Sequence, residues 1–276
     1  YVAARPGGTG DVALRAVANR LLQDLGRDRA RFEITALRPP TYEQLQKTLQ
    51  DAKAAGKPFH IVHFDGHGMY QDLEKTHWAD WLKTMSLLTL GGPRRGKHGY
   101  LLFEHPGSPD NVRPVSGEEL GKLLHDTGVP ALVLNACQSA MHQATEPADA
   151  RTADEIQPAK PEKRPQALAG RASPAAEAAS QFQAGGFQPL TFHDAVRAIG
   201  SLAQAVIDQG IPAVLGMRYS VFVVTAAQYI GELYAALAKG RPFGEAASQG
   251  RKHLAANPER WVGLEPRPLQ DWFVPV

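Results

Sequence analysis

Two short segments hold the side chains with the most chemistry to offer: HFDGHG at residues 63–68 and NACQSA at residues 135–140. Each follows an apolar run, PFHIVHF and PALVLNA, too short for a helix and continuous enough for a buried strand. In an open parallel sheet, ligands bind beyond the carboxyl ends of the strands, where His67 and Cys137 would stand. If those strands are neighbours, imidazole and sulfur approach each other across the sheet edge. A thiol needs such a partner, because its ordinary pKa of about 8.5 leaves little thiolate at neutral pH. A histidine within hydrogen-bond reach takes that proton and later returns it to a leaving amine. The glycines beside it, Gly66 and Gly68, let a substrate backbone come close. The N–H groups of Gly68 and Cys137 would then supply an oxyanion hole.

Spacing alone leaves other readings open. A lone cysteine after an apolar strand is more often a small core residue than a nucleophile. His60 and His63, on the strand itself, read as structural, and Asp65 as a turn former or an anchor for a loop amide. A metal-dependent hydrolase is the rival enzyme class, since an extended strand would put His63, Asp65 and His67 on one face. Against it, Gly66 and Gly68 are expected to break the strand, and no second ligand cluster follows. No metal and no other cofactor is assigned.

The elements around these segments alternate strand and helix. Tyr1 to Arg5 reads as a strand, followed by a helix capped by Asp11 with Leu14, Leu21 and Leu25 on one stripe. Arg31 to Leu37 reads as a second strand. Thr41 with Gln44, and Ser116 with Glu119, have the spacing of capping boxes ahead of amphipathic helices. Tyr100–Phe103 and Val112–Val115 suggest a hairpin, and Ile211–Met217 a second central strand like Pro130–Ala136. Helices are expected over 198–209, 224–238 and 243–255. The alternation argues for an α/β fold, a mostly parallel sheet with helices on both faces, in one domain over 1–276. Residues 143–188, rich in Ala, Pro and Gln, break the pattern and read as a mobile loop.

Composition narrows the classes further. The 276 residues carry a formal charge of only +2, which gives no electrostatic case for nucleic acid. The basic stretch RRGKH, residues 94–98, reads as an exposed loop and lacks the setting of a phosphate-binding loop. No run approaches the roughly 18 apolar residues of a membrane span, so no membrane partner is expected. One cysteine rules out an internal disulfide and a multi-thiolate zinc site, and suggests a cytoplasmic setting. The tryptophans Trp78, Trp81, Trp261 and Trp272 read as core or interface anchors. The strand-like YVAAR opening without Met and the apolar FVPV end suggest a piece of a larger protein.

HIVHFDGHG, LVLNACQSA, GIPAVLGMRYSV with the following AAQYIGELYAALAKG, and DWFVPV together resemble the CHAT family. These are caspase-like domains often joined to tetratricopeptide repeats and related to separase and the caspases. RPGGTGDVALR and LRPPTYEQL extend the resemblance over nearly the whole chain except residues 143 to about 188. It implies a three-layer αβα sandwich and peptide-bond hydrolysis by a Cys–His dyad. The histidine followed by glycine, His67 rather than His63, takes the catalytic place, and Cys137 that of the nucleophile. The primary specificity pocket is walled by residues after the last core strand, which makes Arg218, Tyr219, Ser220 and Val223 the implied substrate-binding residues. Many relatives carry an acidic residue in that segment, suited to a basic P1 side chain. Val223 and Val224 stand there instead, which argues against a basic P1 and leaves an apolar one or, through Arg218, an acidic one. The implied partners are a protein or peptide substrate and an attached or separate regulatory repeat domain. Residues 143–188 occupy the place of the cleavable linker of caspases, so nicking is expected there. The alternative is a catalytically silent caspase-like interaction or sensing module.

Overall fold

In the computed structural model, residues 1–7, 31–89, 96–108, 110–136, 192–217, 222–262 and 265–276 are described. The two apolar runs form adjacent strands. β2 spans Ile61–Gln71 and β5 spans Ala131–Ala136, and they pair in parallel from Ile61↔Ala131 to Gly66↔Ala136. The short β1, Val2–Ala3, lies parallel to β2 on its other side. Beyond Gly66 that side of β2 is taken by β3, His98–Glu104, which pairs antiparallel from His67↔Leu102 to Gln71↔His98. β3 in turn makes the expected hairpin with β4, Val112–Ser116. β6, Ala213–Gly216, pairs in parallel with β5. The sheet order is therefore β4-β3-β2-β5-β6, with β1 also on β2.

The helices form where capping and periodicity indicate. α1, Tyr42–Ala54, starts at Thr41, whose hydroxyl accepts the N–H of Gln44 at 3.2 Å, and buries Tyr42, Leu45 and Leu49. The tryptophan-bearing segment after β2 winds through a short 3₁₀ turn, Leu73–Lys75, into α2, Ala79–Thr89. α3, Gly117–Thr127, is capped by Ser116 on Glu119 N–H at 3.1 Å and closes on Gly128 at φ 75°, the left-handed conformation that favours glycine. α4 (Phe192–Asp208), α5 (Val223–Ala238) and α6 (Phe243–Ala256) complete the set. A small hairpin of β7 (Glu259–Val262) and β8 (Glu265–Pro268) follows.

Side-chain alternation along the strands divides these helices into two layers. Val62, Phe64, Leu132 and Leu134 face one way, against Leu45, Leu49, Leu120, Leu124, Leu202 and Val206 of α1, α3 and α4. Val133 and Leu215 face the other, against Tyr229, Ile230 and Leu233 of α5 and Leu254 of α6. Further along β2, Met69 packs with Tyr100, Leu102 and the buried Trp78. The result is a three-layer αβα sandwich around a mostly parallel sheet, compatible with a caspase-like fold. No helix among the described residues is long and apolar enough to cross a membrane.

Several sequence expectations need correction. Gly66 and Gly68 do not break β2, which runs on to Gln71. The strand continues because its second half pairs with β3, which succeeds β1 on the edge of β2 away from β5. Residues 31–37 are not a strand. Their backbone contact with the first strand is confined to Tyr1, which bonds Thr35 O and Leu37 N–H, and no ladder develops. β6 is at the end of the sheet rather than inside it. It reads as a central strand because both its faces are packed and its outer edge is covered. Gly216 exchanges two backbone hydrogen bonds with Val276, at 2.8 and 3.0 Å, and Met217 bridges to Pro275. Of the tryptophans expected as core or interface anchors, Trp78 is core, while Trp261 and Trp272, 66% and 43% exposed, keep only the interface part of that reading. Of the basic stretch, Lys97 is exposed while His98 opens β3 half-buried. The helix expected after Asp11 and the 143–188 segment lie outside the described residues.

Candidate active site

The candidate site lies where the described β5 ladder reaches Gly66 on one edge of β2 and β3 succeeds β1 on the other. The parallel pairing of β2 with β5 ends at Gly66↔Ala136 and its antiparallel pairing with β3 begins at His67↔Leu102. His67 thus stands at the first position past the carboxyl end of β5, the location at which parallel sheets bind ligands. Its side chain is 3% exposed. Gly68 follows, opposite Leu101 in the β2–β3 ladder. Gly66 has a spatial requirement. A Cβ there would lie 2.9 Å from the Phe64 ring and 3.0 Å from the carbonyl oxygen of Ala4, closer than real side chains come.

His63, Asp65 and His67 share one face of β2, as alternation requires, but each has its own environment. His63 is fully buried between aromatic rings. It stacks on Tyr234 with centroids 5.8 Å apart, takes the edge of Tyr1 at 5.0 Å, and lies 3.2 Å by Nδ1 from the Tyr234 hydroxyl. Burial pushes its pKa down to about 3, so the ring is neutral. Asp65 accepts from the Arg5 guanidinium at 3.0 Å in an ion pair whose side chains are 5% and 6% exposed. It also accepts from the Tyr1 hydroxyl, and from the Asn135 amide at 3.2 Å. Burial, reinforced by the Asp65 charge, drives the Tyr1 phenol upward, and it stays protonated as donor. With Asp65 engaged by Arg5 and His63 by Tyr234, these residues do not converge on a metal. No group of three or more His, Cys, Asp or Glu among the described residues could hold one.

Of the residues singled out by sequence, His67 and Gly68 follow directly after the Gly66↔Ala136 pair and are matched with Leu102 and Leu101 of β3. Cys137, Arg218, Tyr219 and Ser220 lie outside the described residues. Val223 is the first residue of α5. The residues that sequence reasoning missed are Arg5, Tyr1 and Asn135 around Asp65. The signal for them is present: an arginine and an aspartate inside apolar strands cannot be buried singly, and each implies the other.

Comparison with curated proteins gives no match. Comparison with protein families matches residues 11–159, more than half of the chain, to the CHAT domain. That match spans α1 to β5 and takes in both His67 and Cys137 in the sequence. With the αβα sandwich already evident, it establishes that the chain belongs to the caspase-like CHAT domain family.

Proposed function

We propose that this chain is a cysteine endopeptidase, with Cys137 as nucleophile and His67 as general base, acting as the regulated effector domain of a larger protein. The observation that carries the reading is the end of the β2–β5 ladder. Gly66 pairs with Ala136, and the next residues in sequence are His67 and Cys137. Neighbouring strands are about 4.8 Å apart, so two chains leaving that rung start within reach of one proton transfer. His67 takes the thiol proton, and the thiolate attacks the scissile carbonyl of a peptide. The Gly68 and Cys137 N–H groups receive the oxyanion, and His67 gives the proton to the leaving amine. Water then releases the acyl group from sulfur. Arg218, Tyr219, Ser220 and Val223 contact the substrate, whose P1 side chain is apolar. A repeat domain is the proposed regulator, and residues 1–276 form one catalytic domain.

A second reading, a catalytically silent interaction module, draws on the burial of His67, which is only 3% exposed. A general base must meet the substrate's leaving group. The purified chain, incubated with a diverse peptide library beside Cys137→Ala and His67→Ala, separates the two. Cleavage after apolar residues that disappears in both variants is the expected result. Cleavage that persists in either variant sinks the dyad, and no cleavage by wild type beside an unreactive Cys137 thiol favours the silent module.

A further inference from the structure

We infer that Asp65 and Asn135 are positioning residues, a hydrogen-bonded clasp that fixes the distance between the two strands immediately below the dyad. The inference rests on the proposed pairing of His67 with Cys137. Asp65 is two residues before His67 on β2, and Asn135 is two residues before Cys137 on β5. The two face each other in register, Asp65↔Asn135, and the Asn135 amide donates to Asp65 Oδ1 at 3.2 Å. Strand alternation puts Asp65 on the His67 face of β2, so the clasp lies one pleat below the proposed reacting groups.

Asp65 is itself held from behind. Arg5 donates to its Oδ1 at 3.0 Å and to its backbone carbonyl at 2.7 Å, and the Tyr1 hydroxyl bonds Oδ2. Ala4 N–H bonds the Asp65 carbonyl at 3.0 Å, so β1 fixes the backbone as well as the side chain. A buried ion pair of this kind contributes little net stability, because desolvating both charges costs about what their attraction returns. What it supplies is a fixed acceptor. The partner of that acceptor on β5 is Asn135, the residue before the last described one of that strand, Ala136. The Asp65 carboxylate is held by Arg5, Tyr1 and Asn135 together, which fits orientation of a neighbour rather than direct proton transfer.

The single cysteine of the chain makes the test clean, since alkylation reports Cys137 alone. The rate of iodoacetamide reaction is followed from pH 5 to 9 for wild type, His67→Ala, Asn135→Ala and Asp65→Asn. Peptide cleavage and thermal unfolding are measured in parallel. Asn135→Ala removes one hydrogen bond from a half-buried site and leaves the Arg5–Asp65 pair intact, so the variant folds. The expected result is a wild-type thiolate titration below the ordinary range that depends on His67. Asn135→Ala and Asp65→Asn then move toward the His67→Ala profile, with kcat lowered about tenfold or more and KM little changed. Profiles and kcat of both clasp variants that overlay wild type, while His67→Ala differs, overturn the clasp and leave the dyad standing. Wild-type and His67→Ala profiles that coincide overturn the dyad, and the clasp with it.

Discussion

His63 and His67 are four residues apart on one strand face and sit in different surroundings. His63 is sealed among Tyr1 and Tyr234, its Nε2 has no hydrogen-bond partner among the described residues, and burial holds its pKa near 3. In the unfolded chain the same ring takes a proton near pH 6.5. The unfolded state therefore binds more protons than the native state below that pH. The stability due to neutral His63 is fully present above about pH 6.5 and drains as pH falls toward 3. Urea midpoints measured from pH 7 to pH 4 should fall for wild type, and fall less steeply for His63→Phe. Phenylalanine keeps the stack on Tyr234 but takes Nδ1 away from its buried hydroxyl, so this variant should be less stable than wild type at pH 7 by about 1–3 kcal/mol, with the gap narrowing as pH falls. Equal slopes in the two proteins would show that His63 is accessible to protons in the native state. The sequence distinguishes the two histidines only through the glycine after His67. The aromatic box around His63 is built by residues 1 and 234, separations that no local pattern reports.

β2 is the element on which the site depends, and it is also where local reading fails. Capping signals at Thr41 and Ser116 give the starts of α1 and α3 directly, because a cap is a contact between residues three apart. The apolar runs give β5 and the first half of β2 for a similar reason. The second half, GHGMYQ, has two glycines and reads as a loop, since glycine weakens a strand in isolation. Pairing with β3 outweighs that weakness, and the glycines serve close packing instead. Gly66→Ala should accordingly cost about 1–3 kcal/mol by overpacking, because neither the buried Phe64 ring nor the Ala4 backbone has space to retreat. Thermal unfolding of this variant beside Gly244→Ala, where a Cβ meets nothing within 4 Å, measures the difference. A drop confined to Gly66→Ala is the expected outcome, and equal midpoints would refute the close approach. The same long-range dependence explains the false strand at 31–37: its apolar alternation is real, but the neighbour it meets is only one residue deep.

At the scale of the molecule, strand–helix alternation is enough to indicate the layered α/β architecture, because parallel connections require intervening helices. The lateral order of strands is not encoded in that alternation, which is how β6 could read as central while standing last. Its outer side is covered at Gly216 and Met217 by Val276 and Pro275, and the segment leading there is anchored by Arg251 on the Pro275 carbonyl and by a buried ion pair. Arg260, fully buried, bonds Asp271 at 2.9 Å and the Leu254 carbonyl at 3.2 Å, while Thr225 donates to the same carboxylate. Asp271→Ala leaves the guanidinium buried without its counter-ion, a loss of about 3–5 kcal/mol. At the opposite margin, β4 carries Pro114, which has no N–H to offer a neighbour. Both margins of the sheet are thus poor templates for a foreign strand, the usual route to runaway fibre growth. Asp271→Ala should convert one margin into an open template. Light scattering should then show growth that rises with concentration and spares wild type, making Arg260 and Asp271 guardians of solubility as much as of the fold.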